Sequence, residues 1–223
     1  MEKNGALLPA NELPAKKPRE KAADRLVRMC DFDAPYIEKY GRVAGLDEVG
    51  RGPLAGPVVV ACLLLPSGSA VVGVNDSKKL SEKKREQLSQ ELLKESLAVS
   101  YGIVDAHEID EHNIAVATNR ASWLAAEELI GQLQFVLTDA MPGLSLPVPH
   151  RSIVHGDEQS YRIAAASIVG KVYRDEKMRE FDQQYPEYGF AQHKGYGTPQ
   201  HIAAIQKYGP CPIHRLSFLR RIL

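Results

Sequence analysis

Four acidic residues stand where predicted strands end or where a helix begins. They are Asp47, Glu48, Asp139 and Asp157. In open α/β sheets, sites form beyond the carboxyl ends of adjacent strands, so we expect these side chains to converge there. Converging carboxylates repel one another unless a cation lies between them. Because an oxygen-only ligand set with open positions suits hard ions, the pattern predicts a site for Mg²⁺ or Mn²⁺.

Two details qualify this predicted metal site. Neighbours on a regular strand point to opposite faces, so Asp47 and Glu48 can serve one site only if the strand is distorted there. Acidic residues at such positions also act as ordinary turn and cap residues, and only their joint placement favours a site. Asp175 lies about 22 Å along the helix that follows Asp157, too far to join it, and is assigned to a surface ion pair or a supporting role.

A short segment suited to phosphate binding follows the first two acids. In Gly50-Arg51-Gly52, the glycines let the backbone come close to a ligand, and the arginine can form paired hydrogen bonds with phosphate oxygens. Lys78 and Lys79, in the loop before the next helix, can add phosphate contacts, although a solvated lysine pair accounts for them equally well. The segment therefore predicts an anionic ligand beside the acids.

The last part of the chain is basic. The whole chain has 28 basic and 28 acidic residues, yet residues 188–223 contain no Asp or Glu. Their cationic and imidazole side chains are Lys194, Lys207, Arg215, Arg220, Arg221, His193, His201 and His214. Such a basic end predicts an anionic partner, nucleic acid first, and the alternative is a surface that meets only solvent. Within it, Tyr196 lies between two glycines, where its ring can stack on a sugar or base or pack on the core.

Composition excludes several classes of protein. The chain is 44% hydrophobic and 25% charged, as soluble domains are. The longest apolar run, 58–65, is too short for a membrane helix, and the first residues do not suit a signal peptide. Three scattered cysteines without a CxxC motif favour a reducing compartment, so we expect a cytoplasmic location. The histidine spacing disfavours zinc, and no nucleotide-binding glycine motif occurs.

Periodicity predicts one mixed α/β domain over residues 41–223. A flexible extension is predicted over 1–40, in which residues 20–29 can form a short helix. The predicted strands are 42–48, 58–65, 97–104, 135–138 and 152–155, the first two as an antiparallel pair. The predicted helices begin at the cap Ser81, cover 111–130, begin near Ser160 and cover 199–207. Small residues on the helix from Ser160 would let it approach the sheet closely.

Several segments together resemble ribonuclease HII, the type 2 ribonuclease H. They are GLDEVGRGPLAGPVVVA at 45–61, NDSKKLS at 75–81, TDA at 138–140, GDEQSYRIAAASIVGKVYRD at 156–175 and HKGYGT at 193–198. The resemblance runs from about Val43 to Phe218 in the family's order and spacing. It implies a ribonuclease H-like mixed β-sheet flanked by helices, with a helical C-terminal part. The sequence departs from the family at His155, where lysine is frequent, and at Gly170, where alanine is common.

The resemblance also implies an activity. It implies hydrolysis of the RNA strand of RNA/DNA hybrids and nicking of DNA duplexes 5′ of single embedded ribonucleotides, with two Mg²⁺ or Mn²⁺ ions and 5′-phosphate and 3′-hydroxyl products. By resemblance, the family's metal-site acids are Asp47, Glu48, Asp139 and Asp157. The residues that read the ribonucleotide junction are, by the same resemblance, Gly50, Arg51, Gly52 and Tyr196. A monomer without membrane association is expected, and a protein partner at the C-terminal end is left open.

Three alternatives to this activity remain. The type 3 ribonuclease H is the nearest, but it usually has a separate N-terminal substrate-binding domain and lacks the GRG arrangement. A non-catalytic nucleic-acid-binding protein would account for the basic end and would leave the four acids without a purpose. A resolvase- or integrase-like nuclease of the same broad fold would act on an all-DNA junction.

Overall fold

The structure is a computed structural model that describes residues 20–223. In this part of the chain, five strands form one mixed sheet. They are β1 (Val43–Val49), β2 (Val58–Leu64), β3 (Ala98–Val104), β4 (Phe135–Asp139) and β5 (His150–Ile153). Their order is β3-β2-β1-β4-β5, with β2 antiparallel to both of its neighbours and β4 parallel to both of its own. The predicted antiparallel pair of β1 and β2 is confirmed.

Helices cover both faces of the sheet and form the C-terminal part. In the described residues they are α1 (Ala22–Tyr40), α2 (Glu82–Glu95), α3 (Ala106–His112), α4 (Ile114–Glu128), α5 (Gly156–Gln159), α6 (Tyr161–Gln184), α7 (Phe190–His193), α8 (Pro199–Tyr208) and α9 (Leu216–Leu219), with a 3₁₀ turn at Ser77–Lys79. Ser81 and Ser160 cap α2 and α6 by accepting a hydrogen bond from a first-turn N–H. None of these helices is long and apolar enough to cross a membrane. The predicted fold class is confirmed.

Helix α6 packs directly on the central strand β1. Leu46 faces the opposite layer and shares a buried cluster with α4. Its neighbour Gly45 faces α6, where an added Cβ would lie 1.9 Å from the carbonyl oxygen of Arg162. Only glycine therefore permits this approach, as the small residues of the helix predicted. An alanine at Gly170 would bring its Cβ 3.1 Å from that of Ala61, a contact that needs only a small shift.

Two predicted elements have different bounds in the structure. The helix expected over 111–130 is divided into α3 and α4 by Asn113, which has φ 70° and caps α4 with its side chain. The strand expected over 152–155 is β5, which ends at Ile153. His155 follows it in the left-handed conformation and precedes α5. Asp157 therefore lies in a one-turn helix rather than directly after a strand.

Residues 22–40, expected to belong to a flexible extension, form α1 instead. Met29 is buried, and the buried carboxylate of Asp33 accepts a hydrogen bond from the N–H of Arg162 at 2.9 Å. Apolar side chains continue at helical spacing through Ile37 and Tyr40, beyond the predicted helix over 20–29. The rest of the predicted extension, residues 1–19, lies outside the described residues.

Candidate active site

Asp47 and Asp139 leave neighbouring strands at the same end of the sheet. Leu46 and Thr138 are partners in the parallel ladder of β1 and β4, and each of the two acids comes next in its strand. Adjacent strands lie about 4.8 Å apart, so the two backbones deliver their carboxylates to one place. The structure therefore places Asp47 and Asp139 at the same end of two adjacent strands.

Asp139 also ties this end of the sheet to the helix that carries Asp157. Its Oδ1 accepts hydrogen bonds from the N–H groups of Ala140 and Gly156, each at 2.9 Å. Gly156 is the first residue of α5, and an added Cβ there would lie 3.3 Å from Asp139 Cα. The close contact fixes α5 against the end of β4. Asp157 is consequently held beside Asp139 although it does not follow a strand.

Glu48 occupies the other side of β1 from Asp47. The strand stays regular through Val49, which is paired with Val59, so the distortion expected at the two acids does not occur within β1. Asp47 itself is buried; burial raises its pKa, and nearby Ser167 of α6 opposes this rise. The Oε1 atom of Glu48 lies 3.4 Å from the guanidinium of Arg51, and its Oε2 is buried without a partner among the described residues.

Electrostatics link the four acids even so. Burial raises the pKa of Asp47 well above its ordinary value, and the charges of Glu48, Asp139 and Asp157 raise it further. Burial also raises the pKa of Glu48, an effect that Arg51 opposes and Asp139 reinforces. The pKa of Asp157 is raised by burial and, among nearby charges, by Asp139. Each of these groups would lose this mutual repulsion if a cation lay among them.

The donor set fits a hard divalent cation, although the side chains stand apart. In the described residues, no three His, Cys, Asp or Glu side chains are gathered closely enough to hold a metal ion. Every candidate ligand is a carboxylate, and Glu48 offers a buried oxygen that has no hydrogen-bond partner among the described residues. Such oxygens suit Mg²⁺ or Mn²⁺ and do not suit zinc in a closed site. These four carboxylates are the residues that could hold such an ion.

Lys78 and Lys79, the two lysines predicted to contact phosphate, have different partners in the structure. Lys78 is exposed, and its Nζ lies 3.7 Å from Asp157 Oδ2, at the rim of the acid cluster. Lys79 turns away and forms an ion pair with Glu158. The sequence prediction missed Asp76, which is buried, caps the 3₁₀ turn by accepting from the N–H of Lys78, and raises the pKa of Asp157. Asp76 was missed because an Asp two residues before a basic pair is typical of an ordinary turn.

The GRG segment and Tyr196 form one edge of the site. An added Cβ at Gly52 would lie 4.0 Å from the Tyr196 ring, and that ring is 44% exposed. The two loops are joined by a hydrogen bond of 2.8 Å from the N–H of Leu54 to the carbonyl of Gly195. Gly50, in contrast, is buried, and its φ of 92° and the contact with Arg174 show why it is glycine. Close approach of a ligand therefore concerns Gly52 and not Gly50.

Asp175 does not lie at the surface, so the predicted surface ion pair is wrong and the supporting role remains. It is buried on α6, with Lys171 Nζ at 2.6 Å and Arg85 Nη2 at 3.9 Å. Lys171 also lies 6.0 Å from the centre of the Tyr196 ring. The ion pair is therefore an internal contact on the side of α6 that faces Tyr196.

Most of the basic C-terminal stretch is buried. The buried members are His193, Lys194, His201, His214 and Arg215. The exposed ones are Lys207, Arg220 and Arg221. The prediction of a basic face for an anionic partner is therefore wrong for most of these residues, because their polar groups bond to the backbone around the site. Charge counts in a sequence do not distinguish such internal donors from surface charges.

Two buried histidines hold the backbone of Tyr196. His201 Nδ1 donates to the carbonyl of Tyr196 at 2.9 Å, so its Nε2 must accept from His214 Nε2 at 3.0 Å. His214 Nδ1 in turn accepts from the N–H of Cys211 at 2.9 Å. Each ring is satisfied only as a neutral imidazole. Burial lowers the pKa of both His201 and His214 to about 4.

We expect these histidines to make the fold sensitive to acid. Between pH 6.5 and about 4 they stay neutral in the folded protein and are protonated in the unfolded chain, so the free energy of unfolding falls as pH falls through this range. Each histidine contributes at most about 1.4 kcal/mol per pH unit. Urea unfolding of His214→Gln at pH 4.5, 5.5 and 6.5 should show a shallower fall than the unsubstituted protein. Parallel pH dependences would contradict the buried neutral pair.

The chain is similar to known proteins of one family. A family model described as Ribonuclease HII matches residues 44–221. The ribonuclease HII of Ruminiclostridium cellulolyticum is 47% identical over 209 residues, which is 93% of this chain and 82% of that protein. The one from Caldanaerobacter subterraneus subsp. tengcongensis is 50% identical over 188 residues, 84% of this chain and 78% of that protein. The crystal structure of ribonuclease H2 from Pyrococcus horikoshii OT3 superposes with a TM-score of 0.68 at 27% identity, over 81% of this chain and 96% of that one. This chain therefore belongs to the ribonuclease HII family and is a ribonuclease H hydrolase.

Proposed function

We propose that this protein cleaves the RNA strand of RNA/DNA hybrids and also nicks DNA duplexes 5′ of a single embedded ribonucleotide, leaving 5′-phosphate and 3′-hydroxyl ends. Family membership supports the first activity. The observation that carries the second is the edge made by Gly52 and the exposed ring of Tyr196, next to the half-buried Glu48. A backbone that a ligand can approach closely can contact the 2′-hydroxyl of one sugar, and a flat ring can stack on the next sugar. Together they can distinguish a ribonucleotide followed by a deoxyribonucleotide.

The catalytic acids in this proposal are Asp47, Glu48, Asp139 and Asp157, which would hold Mg²⁺ or Mn²⁺. Two such ions, when bound, supply an activated water and stabilise the departing 3′ oxygen. The chain's own part is to fix the carboxylates. Backbone N–H groups hold one oxygen of Asp139, and Arg51 limits the movement of Glu48.

The substrate contacts in this proposal follow from exposure. Arg51 and Gly52 are exposed at the loop and would meet the ribonucleotide, whose 2′-hydroxyl distinguishes it from DNA. Tyr196 would stack on the following deoxyribose. Lys78, exposed beside Asp157, would contact a phosphate, and Lys79 is less suited to this role because it is paired with Glu158.

We further propose that the protein acts in the cytoplasm as a monomer. Arg220 and Arg221 are exposed at the C-terminal end, away from the buried network of that region. They are the residues at which we expect a protein partner, or the backbone of a duplex, to make contact.

Cleavage of labelled duplexes tests the proposal. The substrates are a long RNA/DNA hybrid, a DNA duplex with one ribonucleotide and an all-DNA duplex of the same sequence, each with Mg²⁺, with Mn²⁺ and with excess EDTA. We expect the first two to be cut only when a divalent ion is present and the third to stay intact. Cutting of an all-DNA junction, added as a fourth substrate, would favour a resolvase-like nuclease. Binding of the duplexes without any cleavage would favour a non-catalytic protein.

A further inference from the structure

A fully buried arginine holds the loop that contains Gly50, Arg51 and Gly52. The guanidinium of Arg215 makes five hydrogen bonds, all to backbone carbonyls of this loop. The acceptors are the carbonyl oxygens of Gly50 at 2.6 Å, Arg51 at 3.0 Å, Pro53 at 2.9 Å and Gly56 at 2.8 and 2.9 Å. The N–H of Arg215 also donates to Leu54 at 2.9 Å.

This use of an arginine is specific to its side chain. A guanidinium has five N–H donors in a fixed planar fork, and all of the donor capacity of Arg215 is directed at one loop. No carboxylate of the described residues lies within ion-pair distance of it, although burial of a charge without a counter-charge is costly. A lysine has three donors and cannot reach four carbonyls at once.

The direction of these bonds determines where the loop's N–H groups point. In a planar trans peptide the C=O and N–H point in opposite directions. Because the carbonyls of Gly50 and Arg51 point inward at Arg215, the N–H groups of Arg51 and Gly52 in the same two peptide units point outward. In the described residues, neither of these N–H groups donates to a protein acceptor, and both residues are exposed. Two successive donors are therefore presented beside Tyr196.

We propose that Arg215 is a positioning residue for recognition of the ribonucleotide. By turning two successive carbonyls inward, it presents the N–H groups of Arg51 and Gly52 to the 2′-hydroxyl and adjacent phosphate of the substrate. Arg215 touches no substrate itself. This inference rests on the proposed nicking at single ribonucleotides. It assigns to a buried residue, about 160 positions away in the sequence, the geometry on which that selectivity depends.

The test is Arg215→Lys, measured as the ratio of kcat/KM on a single-ribonucleotide duplex to kcat/KM on a long RNA/DNA hybrid. A long hybrid offers a 2′-hydroxyl at every position, so a loosened loop can still find a productive register. We expect the ratio to fall at least tenfold, with most of the loss on the single ribonucleotide in KM. Arg215→Gln, which removes the buried charge and keeps a donor pair, carries the same test if the lysine variant does not fold.

Arg162→Lys is the matched control. Arg162 is also a buried arginine that donates to backbone carbonyls, those of Leu65 and Pro66, but on the side of α6 next to α1. We expect this variant to lower the melting temperature and to keep the substrate ratio. An unchanged ratio in folded Arg215→Lys or Arg215→Gln would overturn the inference. A wild-type protein that cleaves the hybrid and never nicks the single-ribonucleotide duplex would instead overturn the proposed function, before any variant is compared.

Discussion

Asp47→Asn should abolish cleavage of every substrate while affinity for a duplex stays nearly unchanged. The substitution keeps the shape of this buried side chain but removes a negative charge from the proposed cation site. Metal ions supply several kcal/mol of transition-state stabilisation, so we expect kcat to fall on the order of 10³-fold or more. Duplex affinity comes mainly from phosphate contacts elsewhere. Single-turnover cleavage and a binding titration in Ca²⁺ would measure the two effects separately.

The same variant should be more stable than the unsubstituted protein when no metal is present. The pKa of Asp47 is raised in the folded protein, so the folded state binds more protons than the unfolded chain above pH 3.8. The free energy of unfolding therefore falls as pH rises through the raised pKa, and the asparagine removes this loss. Each kcal/mol regained corresponds to about 2–4 °C in Tm for a chain of this length. The gain should appear in EDTA at neutral pH and vanish at acid pH.

Asp105→Asn is the control for both measurements. Asp105 also directly follows a strand, β3, but it is exposed and accepts a hydrogen bond from the N–H of Glu108 as the cap of α3. Asparagine caps helices as well as aspartate does. This variant should keep both activity and Tm. Near-normal turnover of Asp47→Asn in saturating Mg²⁺ would remove Asp47 from the proposed site.

Tyr196→Ala should lose far more activity on a single embedded ribonucleotide than on a long RNA/DNA hybrid. The ring is exposed next to Gly52. In the proposed complex, a deoxyribose stacked on the ring would leave no room for an extra 2′-hydroxyl. Stacking of this kind is worth about 1–3 kcal/mol, which gives roughly a tenfold preference or more. The measurement is the ratio of kcat/KM on the two substrates. Tyr196→Phe should keep the preference, since the proposal assigns it to the ring rather than to the phenol hydroxyl.

Tyr208→Ala is the matched control for the ring. Tyr208 is 52% exposed on α8, comparable to Tyr196, and it contacts Tyr188 and Lys207 rather than the GRG segment. Its removal should leave the substrate ratio unchanged. An equal loss on both substrates in Tyr196→Ala would make Tyr196 a general binding or packing residue, and recognition of the junction would have to lie elsewhere.

The fold could be predicted to the extent that local patterns determine it. The β1–β2 hairpin follows from two apolar runs joined by a glycine- and proline-rich turn, and the start of α6 follows from the cap Ser160. The break at Asn113 could not be predicted, because an asparagine in the left-handed half of backbone space looks like any polar residue in a helical stretch. The length of α1 depends on packing against α6, which no local pattern shows.

The residues of the candidate site could also be predicted only in part. The four acids could be proposed from the sequence because each stands at the end of a predicted strand or at a helix entrance, and carboxylates that converge there are costly without a cation. The buried Asp76 and the network of His201, His214 and Arg215 could not be found, because their partners are mostly backbone groups, several of them distant in sequence. The basic character of the last residues therefore predicted a binding face where the structure has internal hydrogen-bond donors.

The position and end chemistry of a nick test the proposed reaction most directly. A DNA duplex with one ribonucleotide, labelled at either end, is cut in Mg²⁺ in water enriched in ¹⁸O, and the fragments are weighed by mass spectrometry. We expect a single nick on the 5′ side of the ribonucleotide, one ¹⁸O atom in a 5′-phosphate on the fragment that carries the ribonucleotide, and a 3′-hydroxyl on the other fragment. A nick on the 3′ side, with a cyclic phosphate and no ¹⁸O in the phosphate, would mean attack by the ribonucleotide's own 2′-hydroxyl and would contradict the proposed two-metal hydrolysis.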